Sequence, residues 1–279
     1  MRRRVDGAAV LRFTIVTVAV LVVLVPFLYL LLNSIKIERE FRSVPARIVP
    51  SVVTGAYYSD IFGGGHEIGS YLLNSVIVAA SVVVVAVFAG TLAAYSLAKL
   101  RKFYRFLGIV VYGILLVRFY PKVVMVIPYF ILMRQLHLLD TLPAVIIAHA
   151  SIALPFVVWL MIGFFEQVPG EIEESAMMDG CTVWQRYSRV IIPVVLPGIA
   201  TAAIMTAIMS WNEFLVASSV VSIRAKTLPV LVSSFISDKG INWGPMSATA
   251  VLIIVPMFLF VLFTQKYLIQ GMTFGAVKG

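Results

Sequence analysis

Residues 13–32 read FTIVTVAVLVVLVPFLYLLL, twenty positions without a charge. At about 1.5 Å of rise per residue, a helix of that length covers about 30 Å, the thickness of a bilayer's hydrocarbon core. A cleavable leader has a shorter apolar region that ends at small residues. This one follows Met1-Arg2-Arg3-Arg4 and ends in Leu31-Leu32-Asn33-Ser34, so we read it as an uncleaved first span. The same kind of run returns along the chain. With the first at roughly 12–34, others lie at 71–98, 105–132, 142–165, 190–220 and 247–269. The pattern predicts an all-α polytopic membrane protein with six transmembrane helices.

Composition agrees. Of 279 residues, 61% are apolar and 13% charged, against roughly half and a quarter in soluble domains. A net charge of +9 suits nucleic acid only on a solvated basic face. Here the cations sit in short clusters between apolar runs, as membrane topology signals do, so no nucleic-acid partner is expected and lipid is. The lone Cys181 excludes an intramolecular disulfide and a cysteine metal cluster. Thr141 before Leu142-Pro143 reads as a helix cap with proline in the first turn, and Pro169-Gly170 closes the fourth span. Pro26, Pro121, Pro128, Pro155, Pro197 and Pro256 are expected kinks.

An even number of spans puts both termini on one side. Arg2, Arg3, Arg4 and Arg12 precede the first span, and Lys99, Arg101, Lys102 and Arg105 fill the loop after the second without an acid among them. Those clusters mark the cytoplasm. The first loop balances Lys36, Arg39, Arg42 and Arg47 against Glu38, Glu40, Asp60 and Glu67, as an outside loop can. One loop placed inside breaks the rule. Between the fourth and fifth spans, Glu166, Glu171, Glu173, Glu174 and Asp179 outnumber Arg186 and Arg189.

That loop, 166–190, divides into two short helices. Pro169-Gly170 opens the first, whose early glutamates suit the helix dipole, and Gly180 offers a break. Val183, Tyr187 and Val190 then form a stripe at i, i+4 and i+7, opposite Gln185, Arg186 and Arg189. Periodicity leaves two readings open: an amphipathic loop lying on the membrane surface or packed under its own helices, or a docking element.

The residues themselves point to the second. Glu174-Ser175-Ala176, three residues, Gly180, nine residues and Val190-Ile191-Ile192-Pro193 resemble the signature loop of bacterial ATP-binding-cassette importer permeases, Glu-Ala-Ala, three residues, Gly, nine residues, Ile-x-Leu-Pro. Ser175, Val190 and Ile192 depart mildly and keep small or branched apolar character. The resemblance implies that Glu174, Ser175, Ala176, Asp179, Gly180, Val190 and Pro193 form a coupling helix that docks on an ATPase subunit. Trp211-Asn212-Glu213-Phe214, Pro121 and Pro128 before Leu138-Leu139-Asp140-Thr141, and the ending Gly271 to Gly279 are similar to carbohydrate-uptake permeases, most of all the maltose-type second permease. Arg118-Phe119-Tyr120-Pro121, Asp179-Gly180-Cys181 and Lys226-Thr227-Leu228-Pro229 resemble its sugar-alcohol and trehalose branch. What this implies is one permease domain over 1–279, with a core of five spans over about 71–269. Its partners would be a second permease, two ATP-binding subunits that hold ATP and magnesium, and an extracytoplasmic substrate-binding protein. The site would be a bacterial inner membrane.

Charges inside apolar spans need a reason. Arg118 and Lys122, four apart on one helix face, either line the substrate path with Tyr120, snorkel, pair with Glu213, or face a partner. Trp211, Asn212 and Glu213 suit sugar recognition, but at about 100° per residue at most two share a cavity, and helix packing explains them equally well. His149, alone in its span, is expected to make a structural hydrogen bond rather than bind metal. Gly63-Gly64-Gly65 lacks the lysine and helix of a phosphate loop, and no Walker motif appears, so the chain is not expected to hydrolyse ATP itself; by the resemblance it would be a non-catalytic subunit that binds no cofactor. Two other function classes compete. An ion-driven transporter calls for internal repeats and more intramembrane acids; an embedded enzyme calls for a catalytic constellation that is missing. The apolar outside loop at 221–246 is expected to hold a covering helix and, by the resemblance, to reach the binding protein.

Overall fold

The computed structural model describes residues 7–63, 68–101, 103–238 and 240–274. Arg2, Arg3, Arg4, Gly64, Gly65, Glu67, Lys102 and the ending after Phe274 lie outside the described residues.

Four helices among the described residues are long and apolar enough to cross a membrane unbroken: α1 (Gly7–Ser34), α3 (Ile68–Leu100), α6 (Leu142–Glu166) and α12 (Trp243–Phe274). A short α2 (Ala56–Phe62) precedes α3. The expected third and fifth spans are not rods. The third is α4 (Phe106–Arg118) and α5 (Lys122–Gln135), meeting at 95°; the fifth is α8 (Val183–Val194) and α9 (Leu196–Trp211), meeting at 78°. Proline causes both breaks. Pro121 has no N–H to give a continuing helix and disfavours helical backbone at Tyr120. Pro197, in the first turn of α9, can neither donate to nor pack against the carbonyl of Pro193, and the chain turns at Val195. Pro26, Pro128, Pro155 and Pro256 stay inside continuous helices. Among the described residues, length and composition therefore give four candidate spans, or up to six if each bent pair counts as one.

The chain divides into two compact units. In the unit of Ser70–Val230 with Pro256–Gly279, α6 is the centre. Of its apolar window 56% is buried, against 33% for α3, and α4, α9 and α10 (Leu215–Val220) pack on it. Its start is as expected: Thr141 Oγ1 accepts the Ala144 N–H, with Pro143 beside it. Gly90 lets α3 come close, because a Cβ there would lie 2.6 Å from Val157 Cγ1. The wall between α3, α9 and α12 is an apolar groove of about 770 Å³ faced by Ala79, Ala80, Ala203 and Ala207.

The unit of Met1–Gly69 with Leu231–Val255 contains α1, exposed along its whole apolar length. Such a helix is compatible with hydrocarbon and not with water. Beyond it Lys36 is buried, its Nζ donating to Asn33 Oδ1 at 2.9 Å and Arg47 O at 2.7 Å above the rings of Tyr29 and Phe41. The predicted covering helix in the 221–246 segment is α11 (Leu228–Ser233), with Leu228, Val230 and Leu231 buried. A two-residue ladder, Ile236–Ser237 with Gly240–Ile241, follows it.

Candidate functional site

The acidic loop folds as two helices around Gly180. Helix α7 (Gly170–Met178) begins after Pro169 and ends in a paired closure: Gly180 N–H donates to Met177 O and Cys181 N–H to Ala176 O, each at 3.0 Å. This Schellman arrangement needs left-handed backbone at residue 180, where φ is +78°, and glycine adopts it without a Cβ clash. Helix α8 opens on a capping box that we did not read in the sequence, although Thr182-x-x-Gln185 spells it. Thr182 Oγ1 accepts the Gln185 N–H, and Gln185 Oε1 accepts the Thr182 N–H at 2.8 Å. The apolar stripe is shorter than expected: Tyr187 is buried, Val190 half-buried, but Val183 exposed. The expectation assumed 3.6 residues per turn, whereas Arg186–Ile191 winds more widely as a π segment.

One face of α7 is tied to α3. Glu173 Oε1 accepts the Tyr95 hydroxyl at 2.5 Å, and Oε2 pairs with the Lys99 ammonium. Burial pushes the Glu173 carboxyl up, but hydrogen bonds from Lys99 and Tyr95 and the charge of Arg186 bring it below the ordinary glutamate range. Arg101 pairs with Glu166, Tyr187 donates to Thr91 Oγ1 at 3.2 Å, and the Tyr95 ring packs on Phe165 and Tyr187. Ala176 is buried on this side. Glu174, Ser175, Met177, Met178 and Asp179 point away and are exposed, Met178 at 89%. Val190 is half-buried, and Pro193 lies exposed two residues before the turn into α9. Two carboxylates beside two methionines form a surface that suits a groove with basic edges and an apolar floor. Glu173, Tyr95 and Lys99 were not singled out from sequence as one group. The available signal was the four-residue spacing of Tyr95 and Lys99, which places them on one helix face.

The intramembrane candidates separate. Arg118 and Lys122 do not share a helix face: Arg118 ends α4, Lys122 starts α5, and the Pro121 break lies between them. Arg118 sits over the rings of Phe156, at 4.9 Å, and Trp159, at 5.2 Å. Lys122 Nζ pairs with Glu213 Oε2 at 2.5 Å, one of the alternatives the sequence left open. Glu213 Oε1 also accepts the Val216 N–H at 3.0 Å. Arg118, Tyr120 and Lys122 face one cleft of about 180 Å³ with Tyr129 and Ser151, whose hydroxyls are hydrogen-bonded. Trp211, Asn212 and Glu213 are not one helical turn as assumed, because α9 ends at Trp211. Trp211 faces the apolar groove, Asn212 is exposed and donates to Ile208 O, and Glu213 turns toward Lys122. His149 makes the expected hydrogen bond, Nδ1 to Ser210 Oγ at 3.0 Å. Together with Lys122 and Glu213 it lines a void of about 10 Å³, the size of one water.

Asp140 organises a third site. Its own backbone is left-handed, φ +58°, and its carboxylate accepts the N–H groups of Ser222, Ile223, Arg224 and Ala225 at 3.0–3.2 Å. Burial pushes the Asp140 carboxyl up, and these four donors pull it further down, well below the usual aspartate range. Asn74 Nδ2 donates to Arg224 O and Lys226 O, and Ser75 Oγ accepts the Leu228 N–H. The segment before α11 is thus held at both ends.

Comparison with known proteins fits this architecture. Residues 86–274 match the family described as binding-protein-dependent transport system inner membrane component. The trehalose transport system permease protein SugB of Mycobacterium tuberculosis is 34% identical, over 92% of this chain and 93% of its own length. The sulfoquinovosyl glycerol transport system permease protein SmoH of Agrobacterium fabrum is 33% identical, over 96% and 94%. Among solved structures, a chain of a bacterial transporter involved in the import of the acidic polysaccharide alginate superposes with a TM-score of 0.77, covering 95% of this chain and 99% of its own at 23% identity, a likeness of fold. A family match over residues 86–274 and relatives one-third identical over more than nine-tenths of the chain lead to one conclusion: this protein belongs to the binding-protein-dependent transport system inner membrane components, the permease subunits of ATP-binding-cassette importers.

Proposed function

We propose that this permease carries a carbohydrate across the cytoplasmic membrane as a single six-span domain, with α7 as the coupling helix. Its partners are a second permease, two ATP-binding subunits that hold ATP and magnesium, and an external binding protein. Both termini lie in the cytoplasm. The carrying observation is the two-sided α7: one face is bound to α3, while Glu174, Met177, Met178 and Asp179 are left outward at the tightly capped Gly180 end. A partner that grips the outward face moves whatever the inward face holds. Carbohydrate is favoured by the sugar-transport names of the relatives and by the Arg118, Tyr120, Tyr129 and Ser151 cleft, whose guanidinium and hydroxyls suit a polyhydroxylated solute. Glu213 supports the path by holding Lys122 in place. Trp211 and Asn212, which face elsewhere, are assigned to packing and local backbone bonding.

The test is uptake by cells expressing the whole importer. Glu174→Lys reverses the charge of the outward face. Gly180→Val puts a branched side chain on left-handed backbone, at a cost of about 1–2 kcal/mol. Both variants should insert at wild-type levels and lose uptake and copurification of the ATP-binding subunits. Normal uptake by both would sink the coupling role. Uptake that survives ATP depletion and collapses with an uncoupler would instead indicate ion-driven transport.

A further inference from the structure

Thr91, Tyr95 and Lys99 recur every fourth residue at one end of α3, so they form one stripe along that helix. All three engage the acidic loop. Thr91 accepts from Tyr187 of α8, while Tyr95 and Lys99 both hold the carboxylate of Glu173 on α7. A single contact would leave α7 free to pivot about it. Two oxygens of one carboxylate held by two groups one turn apart, with a further hydrogen bond from the next helix, fix its direction as well as its position. The aromatic contacts of Tyr95 with Phe165 and Tyr187 fill the space between these bonds. The neighbouring Glu174 lies about 100° around the helix and is exposed. Adjacent glutamates therefore point different ways, Glu173 to α3 and Glu174 to the exposed face.

We propose that Glu173 is a positioning residue for transport: it locks α7 to the Thr91–Tyr95–Lys99 stripe, so that α3 and α7 move as one body when the ATP-binding subunits close. Glu174 lies on the docking face, and Glu173 belongs to the joint behind it. Because α3 is one unbroken helix from Ile68 to Leu100, a displacement at its Lys99 end reaches the far end about 45–50 Å away, at 1.5 Å per residue. Loss of the lock would leave the ATP-binding subunits attached but unable to drive α3. The inference rests on α7 being the coupling helix, which Glu174→Lys tests separately.

The complete importer, reconstituted in lipid, supplies the test. Spin labels are placed at Glu171 in the first turn of α7 and at Val84 on α3, both exposed, in a Cys181→Ser background. The distance distribution is measured without nucleotide and after trapping with ATP, magnesium and orthovanadate. With Glu173 intact, it should stay narrow and keep the same mean in both states. Glu173→Ala should copurify with the ATP-binding subunits, hydrolyse ATP at the basal rate, and lose stimulation by the binding protein. Its distance distribution should broaden or shift on trapping. The charge exchange Lys99→Glu with Glu173→Lys should restore the narrow distribution and part of the stimulation. A change of distance on trapping in the intact protein would overturn the rigid joint. So would a Glu173→Ala variant that keeps both the distance and the stimulation, or one that simply loses its ATP-binding subunits, which would make Glu173 a docking residue. Failure of the intact permease to bind those subunits at all would remove the coupling reading and this proposal with it.

Discussion

Asp140→Asn is the sharpest probe of how the segment before α11 is held. In the native protein one carboxylate receives four backbone N–H groups, from Ser222 to Ala225. Hydrogen bonds to a charged partner contribute about 1.5–3 kcal/mol each when buried, and they do not add when they share an acceptor. Asparagine keeps one carbonyl oxygen and the geometry but loses the charge and half of the acceptor capacity. The bonds are largely exposed, so the low end applies, and about 1.5 kcal/mol raises the open population of the segment about tenfold. Hydrogen exchange in lipid nanodiscs reads this directly. Amides of residues 222–225 should exchange about tenfold faster in the variant, while the Leu228 amide, held by Ser75, should not change. The sign with pH is fixed by the direction of the shift. A carboxyl held below its ordinary value adds stability that is complete above the unfolded pKa of about 3.9 and is lost as pH falls through the lower folded value. Protection of these amides, corrected for intrinsic rates, should be flat from neutral pH to about 5 and fall only in stronger acid. Equal exchange in the two proteins at neutral pH would refute the view that the charge organises the segment.

Other outcomes follow from the packing. Lys122→Met leaves Glu213 buried without its cation and should cost about 3 kcal/mol, whereas Lys122→Met with Glu213→Gln should recover most of it, as read from thermal unfolding in detergent. A double variant as unstable as the single one would show that the pair does not act as a unit. Gly90→Val drives a branched side chain into Val157 and should cost about 1–3 kcal/mol, relieved in part by Val157→Ala. No relief in the double variant would place the strain elsewhere.

What the sequence revealed, and what it did not, divides along physical lines. Long apolar runs such as 13–32 and 142–165 were legible because a bilayer demands a minimum length of apolar helix, and nothing else in the chain competes with that demand. The loop helices around Gly180 were legible because proline, glycine and acidic residues act locally. The bent pairs were not, since apolar composition is blind to direction: Pro121 and Pro197 were read as kinks, and only the fold shows turns of 95° and 78°. Assuming unbroken helices also misplaced side chains, putting Arg118 and Lys122 on one face and Trp211 to Glu213 in one turn. The partners of Glu173 and Asp140 stand 74–78 and 82–85 residues away. The local sequence carries no trace of such distant contacts.

Helix α1 and helix α6 are both apolar, yet they store sequence information differently. A residue of α6 must match the volume of its neighbours, because Ala144, Ala148, Val157 and Met161 are enclosed on every side. The apolar window of α1 is unburied in this chain, so the valines, leucines and isoleucines there are constrained by apolar character and length, while Tyr29, Asn33 and Ser34 at its end have specific contacts. Exchanging its valines, leucines and isoleucines at random should leave insertion unchanged, whereas shuffling α6 should not be tolerated.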